Sequence, residues 1–502
     1  MPHPVRWSPL RLTTPVKQHV FGGRALADRL GRTGLPSGPV AETWEVSDVD
    51  GEVATVTEGP SAGRSLRELL AADPAGLLGD RPHGPRFPLL TKFIDGTRAL
   101  PVHLHADDAT ARRLEGEPNG KTEAWHVLDA VPGATALVGV RPGTDRERLR
   151  RALLAQDFDA VMRRLPVRAG QTVYVPGGTL HSFGPGTLVY EIEQTSDIQQ
   201  HAMPWRMEDG APLGERERAA NIERLLAEWR PEPRPEFQPG LSVPVADSVV
   251  RTVLCAGPYF ALERWTAGRS ARIARTFATV QVLSNAGAPV TVTSGDWTGR
   301  LDRARTLLLP AALGEVRVAG PADVLFGYVP DLEADIRAPL TAAGHGPAAL
   351  AALGEGLWPG TREGGAALLP EEPAGPVSAI APRRAGDPGA GGDRRARTRQ
   401  QEVRHPQGAA AQGGRALRGL RPGRERRRRR DPAAGPGVAE PGSEDGARPW
   451  PEGRTPGERL RTARTRLGLP GRPGRPRCVP GPEVRRRRGD SSVARTTMRR
   501  RQ

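Results

Sequence analysis

Residues 101–105 read Pro-Val-His-Leu-His, and residues 170–181 read Gly-Gln-Thr-Val-Tyr-Val-Pro-Gly-Gly-Thr-Leu-His. In a strand, side chains at i and i+2 leave the same face, so His103 and His105 point together while Val102 and Leu104 pack the other way. In the second stretch Gly170 opens a turn and residues 171–175 follow as a strand. Pro176-Gly177-Gly178 then forces another turn that presents His181. Two imidazoles side by side are half of a divalent-metal site, and a third brought in by a strand–turn is what a barrel interior needs. His-x-His alone is weak evidence. The combination with the turn-borne histidine is specific.

Outward from these stretches the chain is a succession of short strands divided by Gly, Pro and Asp turns: 87–94, 99–105, 124–129, 134–140, 171–175 and 187–193. Helical periodicity appears at 64–71, 107–115, 145–154 and 157–164. It returns at 213–229, where Ala219, Ile222, Leu225 and Leu226 recur on one face. A Pro-rich stretch, 231–244, reads as a linker, and a second all-β pattern runs from about 246 to 336. His-x-His followed by Gly-x5-Pro-x-Gly-x2-His is the two-part cupin signature. The expected fold is therefore mainly β, with two tandem cupin (jelly-roll β-barrel) domains, the first carrying helical insertions. The expected bounds are 1–210 for a metal-binding catalytic domain, 211–245 for a helix and linker, and 246–340 for a second, metal-free cupin-like domain. Residues 341–502 form the remainder.

Composition separates that remainder from the rest. Over 1–345, 39 Lys+Arg oppose 41 Asp+Glu, a net charge of −2; over 346–502, 34 Arg with no Lys oppose 16 Asp+Glu, a net of +18. The +16 of the whole chain thus belongs to its end. An Arg/Gly/Pro-rich segment buries too little apolar surface to offset its ordering entropy, and a disordered tail is expected. Runs such as 426–430 and 485–488 would bind polyanions without specificity, but they lack interleaved aromatics and Lys, so no specific nucleic-acid partner is expected. Gly, Pro, Ala and Arg also have the codons richest in G and C, which makes a shifted reading frame the preferred origin of this segment. Cys255 and Cys478 give no disulfide framework. Neither a signal peptide nor a membrane span is legible, and a cytoplasmic protein with no membrane partner is expected.

Several segments in order carry a family resemblance. FGGRAL (21–26), AETWEVSDVDGEVATV (41–56), VHLHADD (102–108), GKTEAWHVLDA (120–130), VPGGTLHSFGPG (175–186), EIEQTSDIQQ (191–200) and PYFALERW (258–265) resemble the type I mannose-6-phosphate isomerases, zinc-dependent enzymes of the cupin superfamily. The resemblance covers about 20–205, with the last segment similar to the family's second-cupin entry. It implies one Zn²⁺ held by His105, Glu123 and His181, with His103 where many members have Gln. A three-His, one-Glu set also suits Fe²⁺, Mn²⁺, Co²⁺ or Ni²⁺. It further implies a sugar-phosphate substrate, mannose 6-phosphate, interconverted with fructose 6-phosphate through a cis-enediol. Such chemistry needs a base at the carbon acid and an electrophile at the developing oxyanion.

For proton transfer the expected residues are Lys121, Glu191, Asp197 and His201. Lys121 is one of three lysines beside 70 arginines, and a compact ammonium able to release its proton is not equivalent to a fixed guanidinium fork. Glu191 and Glu193 stand at i, i+2, opposite Leu188, Tyr190 and Ile192. Two carboxylates inside a barrel are costly unless they pair or work; the alternative is a strand near a solvated rim. The family places an Arg four residues after the Asp, and here that position is His201, able to donate a hydrogen bond or shuttle a proton. Arg206 lies nearby at a different spacing. The remaining histidines, among them His19 and His126, carry no expected role. A dioxygenase-like cupin metalloenzyme and a non-catalytic sugar-phosphate-binding cupin both stay open on sequence.

Overall fold

The computed structural model of the protein describes residues 5–80 and 84–357. The disorder and reading-frame expectations for the Arg-rich segment beyond 357, and Cys478, lie outside the described residues.

The first group of strands comprises β1 Val16–Lys17, β2 Glu42–Val46, β3 Leu89–Gly96, β4 His103–Leu104, β5 Glu123–Ala130, β6 Thr135–Val140, β7 Met162–Pro166, β8 Thr172–Val175, β9 His181–Phe183, β10 Thr187–Gln194 and β11 Gln200–His201. They form two antiparallel sheets, in the orders β1-β2-β3-β10-β5-β8 and β11-β4-β9-β6-β7. After the helix Glu215–Glu228 come β12 Leu241–Ala246, β13 Val249–Ala256, β14 Ala261–Ala267, β15 Arg272–Thr276, β16 Gln281–Asn285, β17 Val290–Ser294, β18 Trp297–Leu301, β19 Thr306–Leu309, β20 Glu315–Ala319 and β21 Ala322–Tyr328. Their sheets run β12-β13-β14-β21-β16-β19 and β15-β20-β17-β18. The two six-stranded sheets correspond strand for strand, with β12 in the place of β1 and β21 in the place of β10. One chain path is built twice, as two tandem cupin barrels.

The central strand β10 is buried along both faces. Leu188, Tyr190 and Ile192 enter a core shared with Leu254, Leu262, Val282 and Leu325 of the second barrel, and the Tyr190 hydroxyl meets Ser284 Oγ at 3.0 Å. Gly327 permits this approach, since a Cβ there would lie 2.7 Å from Ile192 Cδ1. The opposite face, Glu191 and Glu193, turns into the first barrel, where both side chains are buried. The solvated-rim alternative for these carboxylates is therefore wrong.

Several local expectations shift. Residues 157–164 are not a helix. A 3₁₀ turn at Phe158–Ala160 leads into β7, which pairs with β6. The apolar spacing of Phe158, Val161 and Met162 satisfies either period, and an open ladder edge on β6 decided it. In the expected strand 99–105 only β4 is regular, because Pro101 has no N–H to give a ladder. The linker 231–244 contributes β12, a sheet edge that tolerates Pro244. Residues 341–357, assigned to the low-complexity segment, are ordered instead: a helix spans Pro347–Ala351, and Leu350, Leu353 and Leu357 pack with Val253, Tyr328 and Ile336. Average composition hid three well-spaced leucines. Among the described residues no helix is long and apolar enough to cross a membrane.

Candidate metal centre and adjoining cavity

His103 and His181 are cross-strand partners on β4 and β9, and His105 follows His103 by two residues. Glu123 opens β5, two strands from β3 across β10. The turn before β9 depends on its glycines. Gly178 has φ +83° and gives its N–H to His105 O at 2.6 Å, while a Cβ on Gly177 would come within 2.7 Å of Asp107 Cα. The insertion after the His pair begins at Asp107, which caps its helical turn by accepting from Thr110 N at 2.8 Å. The turn and the insertion hold each other, and so bring His181 against the His pair.

All three imidazoles are oriented through Nδ1, which donates to a backbone carbonyl: His103 to Pro101 O at 2.7 Å, His105 to Ile198 O at 2.8 Å and His181 to Thr179 O at 2.7 Å. That tautomer leaves every Nε2 as a lone pair aimed inward. One ligand atom from each of His103, His105, Glu123 and His181 lies within 4.8 Å of all the others, and all four residues are buried. His181 Nε2 sits 2.9 Å from His103 Nε2 and 3.0 Å from Glu123 Oε1, and His105 Nε2 sits 3.2 Å from Glu123 Oε2. Neither Glu123 oxygen nor His105 Nε2 has a hydrogen-bond partner. Buried lone pairs facing one another repel unless a cation lies between them, so these residues fit a divalent metal ion. Burial, then His181 and His105, holds His103 well below the usual histidine range. Burial and Lys121 bring His105 to about 3, so the neutral, ligating form is the stable one.

From Glu123 a ladder of alternating charges leads outward. Lys121 Nζ lies 3.3 Å from Glu123 and 3.0 Å from Glu193; Lys92 Nζ lies 2.9 Å from Glu193, 3.0 Å from Glu191 and 3.8 Å from Glu42. Glu191 also accepts from Trp125 Nε1 at 2.9 Å, and Glu42 from Trp44 Nε1 at 2.7 Å. Burial and the neighbouring Glu191 push Glu193 well above the ordinary carboxylate range, against both lysines. Lys92 and Lys121 stay charged: burial opposes this, but the surrounding carboxylates hold both ammoniums above their usual value.

The ladder forms one wall of a cavity of about 210 Å³, reached also by His103, Asp197 and Gln199. Of the expected catalytic residues, Lys121, Glu191 and Asp197 line it. His201 does not. It pairs through its backbone with His103, and burial depresses its imidazole pKa against the pull of Glu208 and Glu217. Arg206 is exposed and paired with Asp209 at 2.6 Å, so it does not stand in for the family arginine. Lys17, His19, Glu42, Trp44 and Lys92 line the cavity without having been singled out. One signal was available: Lys17, Lys92 and Lys121 are all the lysines of the chain.

A jelly-roll barrel holding a buried three-histidine, one-carboxylate cluster is a cupin of the metal-binding kind. No family model matches the chain. Relatives do: a mannose-6-phosphate isomerase from Streptococcus mutans is 30% identical over 325 residues, covering 64% of this chain and 98% of that protein. One from Bacillus subtilis is 29% identical over 324 residues, covering 64% and 99%. The crystal structure of a Bacillus subtilis mannose 6-phosphate isomerase superposes with a TM-score of 0.58 at 25% identity, over 64% of this chain and 100% of that one. The chain belongs to the mannose-6-phosphate isomerase family.

Proposed function

We propose that the protein is a metal-dependent aldose–ketose isomerase interconverting mannose 6-phosphate and fructose 6-phosphate, with Zn²⁺ held by His103, His105, Glu123 and His181 in the barrel of residues 1–210. The observation that carries this reading is the buried donor cluster whose carboxylate continues into a Lys–Glu ladder on the wall of an open cavity. Bound Zn²⁺ supplies a Lewis acid for the sugar's carbonyl and hydroxyl oxygens.

The chain's own residues move the proton. Glu191 faces the cavity with its carboxylate fixed by Lys92 and the Trp125 indole, and it serves as the base that carries a proton between C2 and C1. Lys121 faces the same space and donates to the oxygen that gains charge as the cis-enediol forms. Glu193, 0% exposed behind both ammoniums, positions them. Asp197, at the exposed rim, orients sugar hydroxyls. His201 lies outside the lining and is given no proton-transfer step.

The test is a coupled isomerase assay on the full chain, before chelation, after it, and after return of Zn²⁺. Activity on mannose 6-phosphate that disappears and returns is the expected result. Oxygen uptake with Fe²⁺ and no isomerisation would replace this reading with a dioxygenase. Binding of the sugar phosphate without turnover by metal-replete protein would reduce it to a binding cupin.

A further inference from the structure

The chain has only three lysines, and among the described residues all three lysines and no arginine line the cavity beside the donor cluster. A phosphorylated substrate entering it must therefore be met by ammonium groups. Two of the three are committed. Lys92 is locked between Glu191 and Glu193 at 3.0 and 2.9 Å, and Lys121 between Glu193 and Glu123 at 3.0 and 3.3 Å; the carboxylates in both sets are buried. Lys121 keeps an N–H for the sugar oxygen, but neither ammonium can give up its carboxylates to a phosphate dianion without stranding a buried charge.

Lys17 is different. Its carboxylate partner, Glu52 at 2.5 Å, is 36% exposed, and Lys17 itself 21%. Its Nζ lies 4.4 Å from the Trp44 ring centroid, and Lys92 Nζ lies 5.0 Å from the same ring. Trp44 thus stands between the committed ladder and this exchangeable pair. A half-buried pair whose carboxylate still reaches water is worth little beside one with a dianion, and a dianion can displace Glu52 without leaving a fully buried charge behind. His19, two residues on, lines the same cavity; its ring is tilted against Phe21 with centroids 5.6 Å apart, and none of the described hydrogen bonds engages the ring nitrogens. The other rim charges, Asp197 and Glu208, are exposed to water and screened. Glu42 is committed to Trp44 and Lys92.

We propose that Lys17 and His19 form the anion subsite of this cavity, taking the phosphate monoester of the substrate, while Glu52 occupies Lys17 when the subsite is empty. The substrate assignment rests on the isomerase reading; the subsite itself is tested separately from turnover.

Inorganic phosphate is titrated calorimetrically into the metal-loaded full chain and into Lys17→Met, His19→Ala and Glu52→Gln. Affinity is expected to fall roughly ten- to a hundredfold in Lys17→Met, the scale of one charge-assisted contact, to fall less in His19→Ala, and to rise in Glu52→Gln. Glu52→Gln leaves the Lys17–Trp44 contact in place, so its gain reads the subsite even where Lys17→Met does not fold. Equal affinity across the folded variants, or no phosphate binding at all, overturns the subsite. Binding that follows the expected order in a protein that isomerises nothing keeps the subsite and sinks the isomerase reading. In an active protein, Lys17→Met is expected to raise KM for mannose 6-phosphate tenfold or more with kcat nearly unchanged. A loss confined to kcat counts against the proposal.

Discussion

The interiors of the two barrels are wired in opposite ways on the same sheet topology. In the first, β4 and β5 bring His103, His105 and Glu123 to a centre where the imidazole lone pairs face one another and only Glu123 Oε2 is met by an ammonium, that of Lys121. In the second, β15 and β16 hold the matching places in the sheets, and they carry Arg275 and Gln281. Arg275 Nη1 meets Glu263 at 2.8 Å and its Nε meets Gln281 Oε1 at 3.1 Å. The guanidinium lies over Tyr328, Phe326 and Trp265 at 4.9, 5.0 and 5.5 Å. Glu263 also takes Arg251 at 2.7 Å, Trp265 Nε1 at 2.7 Å and the Tyr328 hydroxyl. In the second barrel the internal cation closes the centre; in the first, Lys121 reaches only Glu123 Oε2 among the donor atoms, and the three imidazole lone pairs face inward with no side-chain cation among them. Topology sets where polar groups meet, and the charge left unneutralised there separates a metal centre from a structural core.

The largest expected effect breaks the first barrel only. His181→Ala removes one of four donors and is expected to abolish both bound metal and isomerase activity, read by metal analysis and the coupled assay. Chelator-sensitive activity that survived would refute the ligand set. Next comes the wall of the second barrel. A chain ending at 345 loses Leu350, Leu353 and Leu357 from beside Tyr328, at about 5 kcal/mol for three buried leucines. The loss is read by denaturant unfolding of chains ending at 345 and at 357, and equal stability of the two would refute the packing of this segment.

A smaller effect tests the internal cation. Glu263→Gln leaves Arg275 and Arg251 buried without their counter-charge, and it is expected to cost about 3–5 kcal/mol with metal content unchanged. Metal loss in that variant would mean that the two centres are not separate. The same pair has a defined pH signature. Burial would raise the Glu263 carboxyl, but Arg275 and Arg251 outweigh it and hold it at about 2. A folded pKa below the free value means stability that is fully present above pH 4.5 and lost as pH falls through 2. The gap of wild type over Glu263→Gln is expected to shrink by about 3 kcal/mol across that window. A gap that instead grew on acidification would show Glu263 protonated at neutrality.

Little of this wiring is visible one residue at a time. His103 and His105 were legible because a strand repeats every two residues, and His181 because Pro-Gly-Gly can only turn. Glu123 came from the resemblance of GKTE, since the insertion 107–119 hides its distance from the pair. Lys92 and Glu42 gave no such signal. They reach Glu191 through pairings of β2 with β3 and β3 with β10, at separations of about 50 and 100 residues, and no local period encodes that. His201 shows the converse: a position prominent in the chain, two residues past the cavity-lining Gln199, ended outside the lining because β11 is two residues long and set by its pairing with β4.

The amino-acid sequence by itself made the strand-rich repeat and the candidate donors His103, His105 and His181 legible, because these are written in short-range spacing and turn chemistry; Glu123 and the family came from the resemblance of longer segments. Only the tertiary structure decided which lysines neutralise which carboxylates, that Arg275 closes the second barrel, and that Lys17 alone among the lysines has a single carboxylate partner that reaches water. Those outcomes depend on burial and on contacts between strands far apart in the chain, where the cost of stranding a charge fixes the pairing.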